Sequence, residues 1–270
     1  MVPEVRIMQA RIGIIGGTGF DDAQLLSNYE KKKVHTPYGA TSDLVVTGTI
    51  DGVDIATISR HGKSHTLIPG NVNFRANIWA MKELGVTHII GTTACGSLRE
   101  NIKPGELVFV DQFIDRSYKR EQTFYEGTLT CHITMAEPFC FNLRKLFISG
   151  SKEMQISFHE KGTMVTIEGP RFSTKAESHL FRQWGCDVIN MTIVPECVLA
   201  REVGIHYASI AMVTDYDCWR ERDGGLSVDE IMSTIAKNTT NGKKLILKVL
   251  RQIKHWQDCE CETAHQYAML

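Results

Sequence analysis

Short apolar runs rich in valine and isoleucine alternate along the chain with segments in which apolar residues recur every three to four positions. The runs have the length and composition of buried strands, and the wider spacing is typical of amphipathic helices. The pattern predicts strands over residues 11–16, 44–50, 53–58, 86–93, 106–114, 162–169, 186–192 and 206–215. It predicts helices over residues 71–84, 137–150, 174–184, 195–203 and 228–253. This alternation indicates an α/β fold with a central mixed twisted sheet flanked by helices.

Turn and cap residues support these boundaries. Asp51-Gly52 lies between two of the apolar runs and predicts a two-residue hairpin turn. Asn71 is placed to cap the first helix, because its side chain can accept a hydrogen bond from the first helical turn. Ser227 and Glu230 have the spacing of a capping box in front of the last helix.

Composition and charge limit the class of protein. The chain has 270 residues, of which 43% are hydrophobic and 23% charged, enough apolar material for a large core. Since no linker-like stretch interrupts it, we expect one domain over residues 1–270, with a loose tail from about residue 255. A net charge of -1 argues against nucleic acid as a partner. No stretch is apolar enough for a membrane span or a signal peptide, so we expect a cytoplasmic protein.

A glycine-rich segment follows the first strand. The sequence Gly16-Gly17-Thr18-Gly19 leaves several backbone N–H groups able to face an anion. The dinucleotide fingerprint G-x-G-x-x-G fails, because its third glycine position is Asp22, and no Gly-Lys-Ser or Gly-Lys-Thr of a P-loop follows. The segment therefore predicts either an anion site with Thr18 as an extra donor or a tight turn without a ligand.

Polar side chains follow several strands at their carboxyl ends, where ligands collect in open α/β sheets. Arg60 and His61 end one strand, Thr93 ends another, and Met191 and Thr192 end a third. A guanidinium, an imidazole and hydroxyl groups together suit a phosphate or another oxyanion. Taken singly, Arg60 is more typical of a surface salt bridge and His61 of a structural histidine. Met191 taken singly is more typical of a core residue and Thr192 of a helix cap.

Two aspartates end the last predicted strand. Asp215 and Asp217 are two positions apart and therefore lie on one side of an extended segment. Two carboxylates this close can share a proton, which supplies a general acid. A helix cap explains one aspartate but not both, and we therefore interpret the pair as functional.

The eight cysteines fall into two groups. Most lie in apolar runs and are typical of reduced core thiols. Cys259-Glu260-Cys261 lies instead in a polar tail, where a bridge across one residue would form a strained, easily reduced disulfide bond. Two such ligands are too few for a metal ion, so no metal site is predicted.

Several ordered motifs together resemble a known family. The chain contains GIIGGTGF, SRHGKSHTLIPG, NIWAMKELGVTHIIGTTACGSL, PGELVFVDQFIDR, GTMVTIEGPRFST, DVINMTIVPE and SIAMVTDYDCW. These segments resemble the 5′-methylthioadenosine phosphorylases of the trimeric purine nucleoside phosphorylase superfamily. The resemblance covers roughly residues 11 to 250 and implies the nucleoside phosphorylase type of α/β fold.

The resemblance implies a role for each matching residue. Phosphate would be bound by Thr18, Arg60, His61, Thr93, Ser173 and Thr192. The nucleoside would be bound by Ala94, Cys95, Gly96, Phe172, Met191 and Thr214. An apolar pocket for the 5′-methylthio group would be formed by Val228, Ile231 and Met232, with His132 from a neighbouring subunit. Without the resemblance, Val228, Ile231 and Met232 are more typical of helix packing than of a pocket.

The activity that the resemblance implies is phosphorolysis of 5′-methylthioadenosine in purine and methionine salvage, with adenosine as a second candidate substrate. Inorganic phosphate would be the co-substrate, and no cofactor is implied. Asp215 would protonate N7 of the leaving adenine and Asp217 would accept from its 6-amino group, or the two roles would be reversed. The implied assembly is a homotrimer or a dimer of trimers.

Three other functions fit parts of the sequence. A purine nucleoside phosphorylase for inosine and guanosine would need a hydrogen-bond donor opposite the 6-oxo group, and this pair of carboxylates does not supply one. An enzyme of broad specificity would accept adenosine as well. A nucleosidase would use water in place of phosphate. A non-catalytic nucleoside-binding or redox-sensing protein would leave both the aspartates and the anion ligands without a catalytic task.

Overall fold

The structure is a computed structural model that describes residues 11–16, 26–127, 129–221, 228–253, 256 and 259–269, with the backbone alone for 228–231. The glycine-rich segment with Thr18 and the capping residue Ser227 lie outside the described residues.

Eleven strands form one branched sheet within the described residues. They are β1 (Ile12–Gly16), β2 (Ser27–Lys32), β3 (Val45–Ile50), β4 (Val53–Ser59), β5 (His88–Ser97), β6 (Leu107–Val108), β7 (Gln112–Arg116), β8 (Phe158–His159), β9 (Thr163–Ile167), β10 (Val188–Asn190) and β11 (His206–Tyr216). The main path runs β2-β3-β4-β1-β5-β10-β9-β7, and β11, β6 and β8 branch from β5.

The long strand β5 is the branch point of the sheet. Its first half lies between β1 and β11, both parallel to it, whereas its end at Gly96 and Ser97 pairs with β10 in the antiparallel sense. Strand β4 is parallel to β1 on the far side. The strands β4, β1, β5 and β11 therefore point the same way, and their carboxyl ends share one edge of the molecule.

In the part of the chain that the structure describes, five α-helices cover the sheet. They are α1 (Phe74–Glu83), α2 (Phe141–Glu153), α3 (Lys175–Gln183), α4 (Ile193–Glu202) and α5 (Val228–Val249). Ile12 and Ile14 of β1 pack in one core with residues of α2 and α5, and Ile15 packs in a second core with residues of α1 and α4. Because side chains alternate along a strand, this division places helices on both faces of the sheet, and the predicted α/β fold is confirmed.

The structure corrects details of the predicted elements. Helix α1 is capped by Asn73, whose side chain accepts from the Ala76 N–H at 3.0 Å, and Asn71 belongs to a short 3₁₀ turn before it. Helix α4 has an extended residue, Val194, before Pro195, because the proline ring disfavours helical geometry in the residue that precedes it. The run over 106–114 forms two strands, β6 and β7, instead of one.

The expectation of a loose tail is wrong for the described part of the C-terminal segment. Residues Glu260–Glu262 and Ala264–Tyr267 form two 3₁₀ turns, and the Cys261 side chain is buried. Met269 forms a bridge with Cys131, and the backbone N–H of His132 donates to the Ala268 carbonyl at 2.8 Å. Among the helices that the structure describes, none combines the length and apolar character of a membrane span.

Candidate active site

One cavity of about 300 Å³ opens at the shared carboxyl edge of β4, β5 and β11. It brings together many of the residues singled out in the sequence. Its lining includes Arg60, His61, Thr93, Ala94, Cys95, Gly96, Phe172, Ser173, Met191, Thr192, Thr214, Asp215 and Asp217. A cavity of this size, with polar groups at defined points of an apolar wall, is typical of a small-molecule site.

Arg60 follows β4 and is almost completely buried, with 2% of its surface exposed. Its Nε and Nη2 groups donate to the two carboxylate oxygens of Glu196 at 2.7 and 2.8 Å. Nη2 also donates to the Ile15 carbonyl at 3.1 Å, and Nη1 donates to the Thr92 carbonyl at 2.8 Å. Burial by itself would lower the pKa of Arg60, but the Glu196 carboxylate holds it above its ordinary value. The planar fork predicted for phosphate is therefore occupied by Glu196, which leaves one Nη1 hydrogen directed to other acceptors.

Glu196 lies at the start of α4 and has no exposed surface. Besides Arg60, it accepts a hydrogen bond from the Tyr207 hydroxyl of β11 at 2.7 Å. A Cβ atom on Gly91 of β5 would collide with the Tyr207 hydroxyl and would approach Glu196 Oε1 to 3.1 Å. Glycine at position 91 is thus required for this buried triad to fit under the cavity.

His61 lines the cavity beside Arg60. Its Nδ1 lies 2.9 Å from the Leu67 carbonyl, so Nδ1 carries the proton and Nε2 is the acceptor in the neutral ring. Burial, followed by the nearby Arg60 cation, lowers the pKa of His61 to about 4. The ring is therefore neutral at pH 7. His65 stacks on it at 4.4 Å between ring centroids.

A chain of hydroxyl and amide groups forms the next part of the wall. Thr93 Oγ1 lies 3.3 Å from Thr192 Oγ1 and accepts from the Asn190 amide at 3.2 Å. The Asn190 carbonyl oxygen in turn accepts from the Thr166 hydroxyl at 2.8 Å. Thr192 occupies the cap position of α4 without a side-chain cap bond, so its hydroxyl serves the cavity wall and not the helix.

The two aspartates stand where β11 ends. The register between β11 and β5 shifts at Thr214, which is a bulge between Val213 and Asp215. Bulges re-aim side chains at the ends of strands. The Asp215 carboxylate accepts from the Thr214 hydroxyl at 2.6 Å, and both Asp217 oxygens lie within 2.8 Å of the Ser173 hydroxyl. Both carboxylates line the cavity.

Ser173 and Phe172 belong to the segment that leads into α3. The structure pairs Ser173 with Asp217, a residue assigned to the purine side, although the resemblance places Ser173 at phosphate. Phe172 keeps 82% of its surface exposed while it borders the cavity, an apolar ring open to a planar ligand. The segment is fixed by a capping box, in which Thr174 and Glu177 bond each other's backbone N–H groups.

The apolar end of the cavity differs from the prediction. Within the described side chains, α5 contributes Ile235 and Asn238 to the lining, one turn beyond Met232, which is 54% exposed. Val228 and Ile231 lie in α5, but their side chains are outside the described residues. His132 is exposed and does not line the cavity of its own chain.

Three structural residues of the site carry no signal in the sequence. Glu196 and Tyr207 are separated from Arg60 by more than a hundred residues, and each reads as an ordinary helix or strand position. Asn238 is completely buried in α5, where its amide donates to the Val213 carbonyl at the bulge at 2.8 Å. A capping asparagine is a recognisable pattern, whereas a mid-helix asparagine is recognised only after the fold brings its partner close.

The geometry offers two chemically different ends. One end presents hydroxyl groups and a neutral imidazole around a buried, neutralised arginine, which suits hydrogen bonding to an oxyanion. The other presents two carboxylates and an exposed phenyl ring, which suits a planar base with N–H donors. Burial raises the pKa of the Cys95 thiol between the two ends, so Cys95 stays protonated.

Comparison with known proteins shows the family to which the chain belongs. The sequence model of the phosphorylase superfamily matches residues 11–251. The S-methyl-5'-thioadenosine phosphorylase of Xenopus tropicalis is 54% identical over 253 residues, which are 92% of this chain and 90% of that protein. The protein of the same name from Danio rerio is 53% identical over 248 residues, with 90% and 89% covered.

Solved structures give the same result for the fold. A methylthioadenosine phosphorylase from an Antarctic soil metagenomic library matches with a TM-score of 0.91 and 40% identity over 97% of this chain and 93% of its own. A mutant adenosine/methylthioadenosine phosphorylase from Schistosoma mansoni in complex with methylthioadenosine matches with a TM-score of 0.88 and 39% identity over 96% of each chain. The chain therefore belongs to the phosphorylase superfamily and, within it, to the S-methyl-5'-thioadenosine phosphorylase family.

Proposed function

We propose that the protein catalyses phosphorolysis of 5′-methylthioadenosine to adenine and 5-methylthioribose 1-phosphate, with inorganic phosphate as the co-substrate and without a cofactor. One observation carries this proposal: a single cavity joins the hydroxyl and imidazole groups of Thr93, Thr192 and His61 to the carboxylates of Asp215 and Asp217. A phosphate and a nucleoside held at these two ends place the attacking oxygen beside the bond that breaks.

At the phosphate end, the described contacts favour directional hydrogen bonds over charge pairing. Glu196 neutralises Arg60, and the bonds to described residues leave one Nη1 hydrogen to donate to phosphate. Neutral His61 accepts at Nε2, so it binds the hydroxyl group of a hydrogen phosphate ion. Thr18 from the glycine-rich segment is expected to supply a further hydroxyl donor to the phosphate.

At the base end, the carboxylates select the purine. Adenine presents a 6-amino donor, whereas hypoxanthine and guanine present a 6-oxo acceptor that two carboxylates would repel. We assign Asp215 to N7 and Asp217 to the 6-amino group. Asp217 has a fixed orientation because the Ser173 hydroxyl bonds its oxygens. Phe172 is positioned to cover the base.

The catalytic step follows the movement of charge. As the bond between ribose C1′ and adenine N9 lengthens, positive charge develops on the sugar and negative charge on the base. Bound phosphate stabilises the sugar and forms the new C1′–O bond, while a carboxylic acid delivers a proton to N7 and adenine leaves neutral. Met191, which lines the cavity next to Thr192, is expected to pack against the ribose.

The 5′ end of the substrate implies an assembly. The methylthio group needs apolar contacts, for which Ile235 lies in the lining and Val228, Ile231 and Met232 are the predicted residues. We assign the last contact to His132 of an adjacent subunit in a homotrimer, because His132 is exposed and away from its own cavity. Methionine and purine salvage in the cytoplasm is the corresponding cellular role.

The decisive experiment measures adenine released from 5′-methylthioadenosine with and without inorganic phosphate, with adenosine and inosine in parallel. We expect release only with phosphate and little cleavage of inosine. Release without phosphate would identify a nucleosidase. Equal cleavage of inosine would contradict the role of Asp215 and Asp217 in base selection.

A further inference from the structure

A second cluster of reactive side chains lies outside the cavity. It consists of Cys140 at the start of α2, His206 at the start of β11, and Cys259 and Cys261 in the C-terminal segment. Their four ligand atoms all lie within 4.8 Å of one another, and Cys140, His206 and Cys261 are buried. All eight cysteines of the chain are outside any disulfide bond in the structure, including Cys140, Cys259 and Cys261 of this cluster.

Four of the six distances between these ligand atoms lie within about 0.4 Å of the edges of a zinc tetrahedron, and the other two are at most 4.8 Å. The Sγ atoms of Cys140 and Cys259 are 3.9 Å apart, and those of Cys259 and Cys261 are 3.4 Å apart. His206 Nδ1 lies 3.3 Å from Cys140 Sγ and 3.4 Å from Cys259 Sγ. Tetrahedral zinc with its usual bond lengths gives S···S edges of about 3.8 Å and S···N edges of about 3.5 Å. A disulfide would instead need one sulfur pair at about 2 Å.

The surroundings orient the histidine as a metal ligand. His206 Nε2 lies 3.0 Å from Glu262 Oε1, so Nε2 donates to this carboxylate and the Nδ1 lone pair faces the sulfur atoms. The ring stacks on His88 at 4.3 Å, and Trp256 packs edge-on against both rings. A carboxylate behind the histidine and an aromatic cover are the usual outer shell of a metal site.

We propose that Cys140, His206, Cys259 and Cys261 bind one zinc ion. Three thiolates and one imidazole at tetrahedral separations favour zinc over calcium or magnesium, which prefer oxygen ligands. Binding releases the three thiol protons to solvent and involves no change of oxidation state. With four protein ligands the site is closed, so its role is structural. It ties the C-terminal segment to β11 and α2.

This site revises the sequence prediction for the same residues. Cys259-Glu260-Cys261 alone supplies two ligands, and the fold adds Cys140 and His206 from positions more than fifty residues away. The site lies at the amino end of β11, whereas Asp215 lies nine residues further along, about 30 Å at the usual rise of a strand. Metal binding here is therefore separate from the chemistry of the cavity.

The test is metal analysis of the full-length protein purified in reducing buffer without chelator. We expect about one zinc per chain in the wild type and in the control Cys131→Ser, and less than about 0.1 in Cys259→Ser/Cys261→Ser. Cobalt exchanged into the wild type should give thiolate charge-transfer and tetrahedral absorption bands. Adenine release at low temperature should persist in the double variant, which shows that it is folded.

A milder variant keeps the proposal testable if the double variant does not fold. Glu262→Gln retains all four ligands and should weaken zinc binding about 10- to 100-fold in competition with a chromophoric chelator. Equal zinc content in the wild type and the double variant would overturn the proposal. So would a Cys259–Cys261 disulfide that persists in reduced, zinc-supplemented protein.

Discussion

Arg60 and Glu196 form a buried ion pair that fixes the position of the cavity wall beside them. The pair is bidentate, with both side chains at most 2% exposed, and the Tyr207 hydroxyl bonds the same carboxylate. Removing one partner from such a pair leaves a buried charge without compensation. Glu196 is therefore a positioning residue for Arg60, since its carboxylate is fully buried and does not line the cavity.

Glu196→Gln should lower the free energy of unfolding by about 3 kcal/mol, because the Arg60 cation remains buried while its counter-charge is lost. Urea unfolding at fixed protein concentration measures this change. The matched control is Glu160→Gln, which breaks the Lys152–Glu160 pair of the same 2.7 Å length, with both partners more than half exposed. The control should cost less than about 1 kcal/mol. Equal losses in the two variants would contradict the role of Glu196.

His61 gives the site a defined pH dependence. Its pKa is lowered to about 4 by burial and by Arg60, against an ordinary value of 6.5, with Arg120 as a further cationic neighbour. The unfolded chain therefore binds a proton at His61 between pH 6.5 and pH 4 that the folded chain excludes. Stability falls as the pH falls through this window.

His61→Asn should remove that part of the acid sensitivity. From pH 6.5 to pH 4 the free energy of unfolding of the wild type should decrease by up to about 3 kcal/mol more than that of the variant, from a pKa difference of about 2.5 units. Denaturant titrations of both proteins across the window measure the difference. Parallel curves would show that His61 is not held neutral by the fold.

At the scale of elements, the capping box of α3 fixes the segment that carries Phe172 and Ser173. Thr174 Oγ1 accepts from the Glu177 N–H at 3.2 Å, and a Glu177 oxygen accepts from the Thr174 N–H at 2.7 Å. Hydrogen bonds from Arg171, and then from the Thr174 backbone, lower the pKa of Glu177 to about 2. The start of α3 is thus anchored directly beside the cavity.

Thr174→Ala should lower the free energy of unfolding by about 1 kcal/mol, because the exposed threonine contributes its cap and little packing. The KM for the nucleoside should also rise, since fraying of the first turn loosens the Phe172 segment, while kcat changes less. Thr174→Ser retains the hydroxyl and is the control. If Thr174→Ser loses as much as Thr174→Ala, the cap is not the cause.

The elements that the sequence predicts are those in which the pattern of apolar and polar residues reflects which positions are buried. The hairpin of β3 and β4 is confirmed, because Asp51 and Gly52 adopt the positive φ angles of 51° and 80° that a tight turn requires. Strand β2, with the sequence SNYEKK, was missed because it is an exposed edge strand without an apolar face. Strand β8 has two residues, too few for any periodicity.

Cavity residues could be predicted where a polar side chain with a clear chemical role ends a predicted strand, as with Asp215, Asp217 and Thr93. The site was not predictable where the partner is distant in sequence. The fork of Arg60 is occupied by Glu196, 136 residues away, and the bulge at Thr214 is visible only in the register with β5. The local sequence pattern identifies the polar side chains of the site. Contacts with residues distant in sequence decide which of these side chains remain directed at a ligand.

At the scale of the whole molecule, the described cavity is incomplete without a partner chain if the proposed trimer is correct. The chain mass is 30.4 kDa, so a trimer has three times that mass, which light scattering measures directly. In the proposed trimer, His132 of one subunit enters the cavity of the next, so each cavity is formed by two chains. His132 is held in place by its backbone bond to Ala268, so its segment is fixed on the surface that faces outwards.

Mixing two defective variants tests the shared site. Asp217→Asn should reduce adenine release by about 100-fold or more through loss of a base contact, and His132→Ala by about 10-fold at low substrate concentration. In trimers reassembled from equal amounts of both, about one quarter of the cavities combine an intact Asp217 with an intact His132 of the next subunit. Activity should therefore rise from about 5% of wild type, the average of the separate variants, to about 25%. If the mixture stays at the average, while light scattering shows that mixed trimers have formed, His132 serves no neighbouring cavity and the 5′ pocket is built within one chain.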